Sequence, residues 1–358
     1  MAAKRIMVVS GSLLALLLFA LLGLMFTVNA LLMPVDARAS DHTVLVEIPS
    51  GASTEQIASV LKEAGIIHNS LLFRLYTRWY GLDKRFIAGR YQLNPAMSLE
   101  GVAALIVSGE VYRETNWFTI PEGFTVEQIA ARLSEQGLVD AALFLELAGR
   151  PPTTITANFA FLQEIESDQV KHLLEGYLFP DTYEIPAGAT EEEIISLMLK
   201  QLDTVLTDQY KQRAQELGMS MHQVLTLASI IEREGRVDQE RPLIAGVFHN
   251  RLAMNHPLES CATIQYILGE VKPVLLYADL RIPSPFNTYQ NPGLPPGPIA
   301  APGAASIHAA LYPEVTDYFY FVYREDSSGE HYFSRTLSEH EANSRRARQN
   351  RANGGGGS

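Results

Sequence analysis

The chain has 358 residues, 47% of them hydrophobic, enough to bury a sizeable core spread over two or three domains. Its formal net charge of −12 excludes nucleic acid as a partner, because neutralising phosphates needs a basic surface. A single cysteine, Cys261, excludes an intrachain disulfide, and the histidines have no metal-binding spacing, so no metal and no cofactor is expected.

The first element is an apolar run, Ile6–Met33, 28 residues without a charge. A helix needs only about 20 such residues to cross a hydrocarbon core. Lys4 and Arg5 precede the run, so the N-terminus is expected on the cytoplasmic side and the chain from residue 38 on the other. Residues 1–38 thus read as a cytoplasmic stub and a transmembrane helix. A cleaved signal peptide is the rival, with "VNA" at 28–30 as a small-residue cleavage site, but the run is long for that role.

An internal repeat follows. "IPSGASTEQIASVLKEAGIIHNSLLFRLY" begins at Ile48 and "IPEGFTVEQIAARLSEQGLVDAALFLELA" at Ile120, identical at twelve of twenty-nine positions. A third, shorter echo, "IPAGATEEEIISLM", begins at Ile185. Each long copy predicts an extended piece (Thr43–Ile48; Asn116–Ile120) running into a Pro/Gly turn. A Ser or Thr N-cap then starts a helix with apolar residues three or four apart (Ile57, Val60, Leu61; Ile129, Leu133). Gly65 or Gly137 stops it, and a second amphipathic helix follows. This gives an α+β module over 39–115 and a second repeat-like α+β segment over 116–200. Such units fit duplication for structural reasons, or a polymer-binding module of the LysM kind, which also sets two helices against short strands.

From about Thr207 the pattern turns helical, with two helices broken at Gly218 and another over 238–255. Residues 283–302 are rich in proline and glycine. "TDYFYFVYRE" (316–325) and "HYFSRT" (331–336) predict a hairpin across "DSSGE". Residues 201–345 therefore read as a mainly helical domain with a small β hairpin, and 346–358 as a tail ending in a flexible "GGGGS" linker.

The chemistry concentrates in "LASIIEREG" (227–235). On a helix, Val224, Leu227, Ala228 and Ile231 form one apolar stripe, and Glu234 continues one of its edges. Glu232 lies on the opposite edge, four residues before Arg236 and placed for an i,i+4 pair. A carboxyl group in an apolar surround is driven towards its protonated form, the state a general acid needs. Equally, Glu234 past the last turn would simply fray into solvent; the pattern alone leaves both readings open.

"EGYLFPDTYEI" (175–185), "LASIIEREG", "VFHNRL" (247–252), "PLESCATIQYILGE" (257–270) and "SPFNTYQNPGLPPGPIAAPG" (284–303) occur in that order. Together they resemble the endolytic murein transglycosylase, or YceG-like, family, and the resemblance covers almost the whole chain. It implies an α+β protein with a membrane anchor, a LysM-like N-terminal part and a lysozyme-like catalytic part. The implied activity is internal cleavage of the MurNAc–GlcNAc β-1,4 bond in nascent peptidoglycan strands, leaving a 1,6-anhydroMurNAc end and terminating glycan elongation. It also implies a single-pass protein of the bacterial inner membrane with its catalytic part on the periplasmic side, peptidoglycan strands as substrate and peptidoglycan synthases as further partners.

The family's motif carries its catalytic residue at the second Glu of Glu-x-Glu, here Glu234, with Glu232 the secondary candidate. Gly235 stands where a hydroxyl residue is usual, and Glu259 and Cys261 stand where Gln and Asp are usual. Ser260, Thr263, Gln265, Tyr266, Asn287 and Tyr289 are candidates to contact N-acetylated sugars or, alternatively, to support the wall of the site. His249 and Arg251 read as helix-surface or supporting residues, and Cys261 as a small buried side chain rather than a nucleophile. Two rivals remain: a non-catalytic peptidoglycan-binding scaffold for cell-wall synthases, and a muramidase-type hydrolase using Glu234 with Glu232. The second is geometrically poor, since residues two apart on a helix diverge by about 160°.

Overall fold

The structure, a computed structural model, describes residues 32–39, 41–165 and 169–354. The expected transmembrane run lies outside the described residues apart from Leu32 and Met33, as do the last four residues of the linker. The chain divides into two compact units, one reaching to Glu114 and the other starting at Thr115.

In the first unit, β1 (Val44–Ile48) pairs antiparallel with β2 (Gly89–Leu93), Val46 opposite Tyr91. Two helices, α1 (Thr54–Glu63) and α2 (Ser70–Trp79), connect the strands, and α3 (Leu99–Ser108) follows them. Alternation along the strands turns Val46, Ile48, Tyr91 and Leu93 inward, onto Ile57, Leu61, Phe73, Val102 and Ile106. Ser53 and Gln56 close a reciprocal capping box at the start of α1.

The second unit opens with the same order of elements. β3 (Thr115–Thr119) pairs antiparallel with β4 (Thr182–Pro186), around α4 (Val126–Glu135) and α5 (Ala141–Gly149), and α6 (Glu191–Val205) follows. The echo at Ile185 is therefore not a third unit. It is the closing strand and helix of the second copy, the counterpart of 89–108. Tyr91 and Tyr183 mark the equivalence: both are buried, and each phenol donates to the carbonyl four residues back, Ile87 at 2.7 Å and Phe179 at 2.5 Å. The echo arose because each strand must turn into a capped helix, so the same local signal appears twice per copy.

Residues 116–200 have no separate core. One apolar cluster runs from Ile120 to Leu311 and joins Ile129 and Leu133 to Ile195 and Leu199, and these to Val224, Leu227, Ile231 and Ile307. After α7 (Asp208–Glu216) comes α8 (Met221–Glu234), buried at every position from Val224 to Ile231. A helix apolar on most faces belongs at the centre of a domain. Around it lie α9 (Arg241–Ala253), α10 (Cys261–Leu268) and α11 (Ala304–Leu311). The expected hairpin is present, with β5 (Tyr320–Tyr323) antiparallel to β6 (His331–Ser334) and Phe321 opposite Phe333. Where a tail was expected from 346, the chain is helical as α12 (Leu337–Gly354). Ala347 is buried, Asn350 Nδ2 donates to the Arg324 carbonyl at 2.6 Å, and Arg346 lies over the Tyr332 ring. The polar composition of 337–354 hid this packing.

Candidate active site

Glu234 is the last residue of α8, which ends because Gly235 takes an extended conformation (φ −75°, ψ 115°). Facing it is Ser260, the N-cap residue of α10. Its hydroxyl does not cap its own helix; it donates to Glu234 Oε1 at 2.5 Å. The Ala262 amide donates to the same oxygen at 3.4 Å, so the carboxylate sits at the positive end of α10. Both contacts fall on Oε1 and leave Oε2 for other chemistry. The surround at the carboxyl oxygens is thus polar, not the apolar pocket expected from the stripe.

Ser260 is itself held from below. Its amide donates to Thr288 Oγ1 at 3.1 Å, Thr263 Oγ1 donates to its carbonyl at 2.8 Å, and the two threonine hydroxyls meet at 2.9 Å. Thr263 and Asn287 have no exposed surface. Asn287 Nδ2 donates to the Leu280 and Ile282 carbonyls at 3.1 and 2.9 Å, and its Oδ1 accepts from the Tyr289 amide. These two residues brace the wall, and Ser260, 2% exposed, positions the Glu234 carboxylate. Tyr289 is half-buried, its hydroxyl 3.1 Å from Cys261 Sγ. Cys261 is exposed at the first position of α10 instead of buried. Packing around the sulfur, then the Glu234 carboxylate, pushes its pKa up, which keeps it a thiol and a poor nucleophile.

Gln265 and Tyr266 line a cleft of about 570 Å³ together with Gln128, Arg233, Phe286 and Ile299. Ala262, whose amide contacts the Glu234 carboxylate, lines it too, although Glu234 itself does not. The Tyr266 and Phe286 ring centroids are 5.1 Å apart. Sequence reasoning missed Gln128, Arg233 and Phe286. Gln128 was disguised by its place in the α4 capping box, where it accepts from the Thr125 amide.

Glu175, in the "EGYLFP" stretch, was also given no role. It is buried behind this wall, and Oε1 accepts from the Val126 amide at the start of α4. A helix N-terminus favours a carboxylate, but here desolvation, with Glu127 next in importance, wins and raises the pKa to about 8. Burial and then the charge of Glu175 also raise the pKa of Tyr266. A charged residue inside the apolar stretch "LLEGYLF" was the available signal.

Glu232 is not the exposed partner of Arg236. Its side chain is 6% exposed, paired with Arg241 at 3.2 Å and accepting from the Gly303 amide at 3.0 Å and Ser306 Oγ at 2.8 Å. Arg236 lies instead over the Tyr323 ring, 4.0 Å from its centroid. Because α8 is enclosed, a carboxylate leaving its far side meets the 241 and 303 segments, not water. Glu259 is likewise tied to Arg251 at 2.9 Å. Arg251 is a buried hub that also donates to the Phe319, Pro257 and Leu258 carbonyls, not a surface residue. His249 is bonded to the Ala310 carbonyl, and burial lowers its pKa. Of Glu232, Glu234 and Glu259, only Glu234 has no cationic partner among the described residues.

The model of the YceG-like family matches residues 46–346. The endolytic murein transglycosylase of Bacillus subtilis is 38% identical over 323 residues, 87% of this chain and 86% of that protein. The protein of the same name from Streptococcus pneumoniae D39 is 32% identical over 331 residues; there the match spans 59% of the relative's length. The crystal structure of a YceG-like protein from Listeria monocytogenes superposes with a TM-score of 0.58 at 36% identity, over 85% of this chain and 99% of that one. With this coverage, the chain belongs to the YceG-like family.

Proposed function

We propose that the protein is an endolytic lytic transglycosylase of peptidoglycan in which Glu234 alone moves the proton. The observation that carries this reading is that Glu234, held on Oε1 by Ser260, has no cationic partner among the described residues. Ordinary glycosidases use two, roughly 5–9.5 Å apart, one of them a nucleophile or a base for water. Here the neighbouring carboxylates Glu232 and Glu259 are each committed to a buried arginine.

A muramic residue supplies what the second carboxylate would provide. Glu234 protonates the leaving glycosidic oxygen as the C1–O4 bond breaks. The 2-acetamido oxygen stabilises the cationic C1, and the C6 hydroxyl attacks it, returning its proton to Glu234. The ring closes as a 1,6-anhydro sugar and no water is consumed. Ser260 holds Oε1 throughout, so proton transfer, worth about 10²–10⁴-fold in such sites, runs through a fixed group. The amides of Gln128 and Gln265 and the rings of Tyr266 and Phe286 suit N-acetylated sugars. The reading extends to a lysozyme-like arrangement around α8 and to a LysM-like role of the βααβα copies in holding glycan. It also takes Ile6–Met33 as an anchor in the cell membrane, with both units outside the cytoplasm and the product strand released from synthesis.

Mass analysis of purified peptidoglycan digested with the protein tests the proposal. Anhydro-ended fragments are expected. Products heavier by one water would mean a hydrolase, and unchanged sacculi would mean a scaffold.

A further inference from the structure

In the first unit, α2 has an apolar face turned away from the core. Phe73 and Thr77 are fully buried on one side, while Leu71 is 59%, Leu75 55% and Trp79 87% exposed on the other. At 100° per residue these three lie within about 80° of one another and opposite Phe73. Arg78 lies about 20° beyond one edge of that arc and is exposed. Tyr80 and Ile87, just beyond the helix, are exposed as well.

The place of this helix in the unit identifies what covers it. The apolar run read from the sequence ends at Met33. From there the chain is pinned to the first unit: Leu32 packs on its core, the Pro34 carbonyl is 3.2 Å from His68 Nε2, and the Asp36 amide donates to the Pro95 carbonyl. His68 immediately precedes Asn69, the N-cap of α2. The end of the apolar run and the start of the exposed stripe are thus joined by one side-chain contact, and α2 is only about 15 Å long. Charge agrees. Residues 69–87 carry Arg74, Arg78, Lys84 and Arg85 against a single acid, Asp83, in a chain whose net charge is −12. An amphipathic helix with leucines and an interfacial Trp on one face, flanked by a Tyr and basic residues, is the pattern that lies in a membrane surface containing anionic lipid.

We infer that α2 is a second membrane contact: Leu71, Leu75 and Trp79 enter the headgroup–acyl boundary, and Arg78, Lys84 and Arg85 meet lipid phosphates. The first unit is then seated on the bilayer by a helix and not merely tethered to it. The inference rests on Ile6–Met33 being the anchor, and its test separates the two.

Trp79 and Trp117 are the only tryptophans, so Trp117→Phe leaves Trp79 as the sole reporter in the full chain. This variant is reconstituted into vesicles of phosphatidylethanolamine and phosphatidylglycerol, with and without brominated acyl chains. Flotation with the vesicles, blue-shifted emission and quenching by the brominated lipid are expected. Adding Leu71→Ser and Leu75→Ser, exposed positions outside the core, should abolish the quenching while flotation persists. A protein that floats with Trp79 unquenched overturns the inference and leaves the anchor intact. Blue-shifted, unquenched emission that grows with protein-to-lipid ratio would assign the face to a second copy, which also overturns it. Failure to float removes the anchor, and the inference with it.

Discussion

Glu232→Ala tests the division of labour between the two glutamates of α8. In the fold the Glu232 carboxylate is enclosed, with Arg241, the Gly303 amide and Ser306 Oγ at 3.2, 3.0 and 2.8 Å. Removing one partner of a buried ion pair costs about 3–5 kcal/mol, because the other charge stays behind without compensation. Arg241 keeps Asp238 at 3.0 Å, but that carboxylate is 77% exposed and offers little. The expected loss is therefore near the lower end, about 3 kcal/mol, or a fall of about 6–12 °C in Tm for a unit of this size. Pairing the change with Arg241→Met removes the stranded charge and should recover part of the loss. Thermal melts followed by circular dichroism, with anhydro-product formation per folded molecule measured alongside, give both readouts. A variant with wild-type Tm and no product would refute the reasoning and make Glu232 part of the chemistry.

Glu234→Gln should behave in the opposite way, abolishing anhydro products while Tm stays near wild type; retained turnover would remove Glu234 from the reaction. Ser260→Ala loses a hydrogen bond to a charged group, worth about 1.5–3 kcal/mol; if the loss falls on the transition state, kcat drops about ten- to hundredfold with KM little changed, and equal kinetics would count against the positioning role. Glu175 keeps its proton in the fold up to about pH 8, whereas an unfolded glutamate releases it at the usual carboxylate pH. Between those points the folded chain holds the extra proton, so stability declines as pH rises. Glu175→Gln should therefore gain Tm relative to wild type on going from pH 5 to pH 8, and a constant difference would contradict the burial argument. Gly176→Ala should fold poorly, since φ is +77° and a Cβ would overlap the Pro298 ring; Gly303→Ala should be mild, because only the end of the exposed Glu122 side chain is in the way. Comparing soluble yields of the two variants checks this.

Local signals were legible wherever a residue's partner lies close in sequence. Ser53 with Gln56, Thr125 with Gln128, Thr190 with Glu193 and Ser220 with Gln223 each start a helix through a capping box whose partners are three residues apart. Alternation gave the hairpin of β5 and β6, whose strands are joined by seven residues, 324–330. What escaped depends on distant partners. β3 finds β4 across sixty-two residues, and Glu232 finds Arg241, Gly303 and Ser306, three groups on other segments. Residue type was also ambiguous. Thr263 and Asn287 looked suited to sugars, but hydroxyls and amides serve a backbone carbonyl equally well, and here they do. Glu234 stood out because its helix phase and the family motif agreed, whereas the polar contact that holds it, Ser260, comes from the N-terminus of another helix.

The two βααβα copies differ at one joint. In the first, residues 80–88 link the second helix to the returning strand; in the second, residues 150–181 do so. Lengthening a flexible connection from nine to thirty-two residues costs only about 1 kcal/mol in closure entropy. The added length carries Glu175, which caps α4 from behind the cleft, and Gly176, whose bare backbone admits Pro298 of the proline-rich loop. A joint that tolerates insertion so cheaply is where a plain module acquires new walls without disturbing its strands.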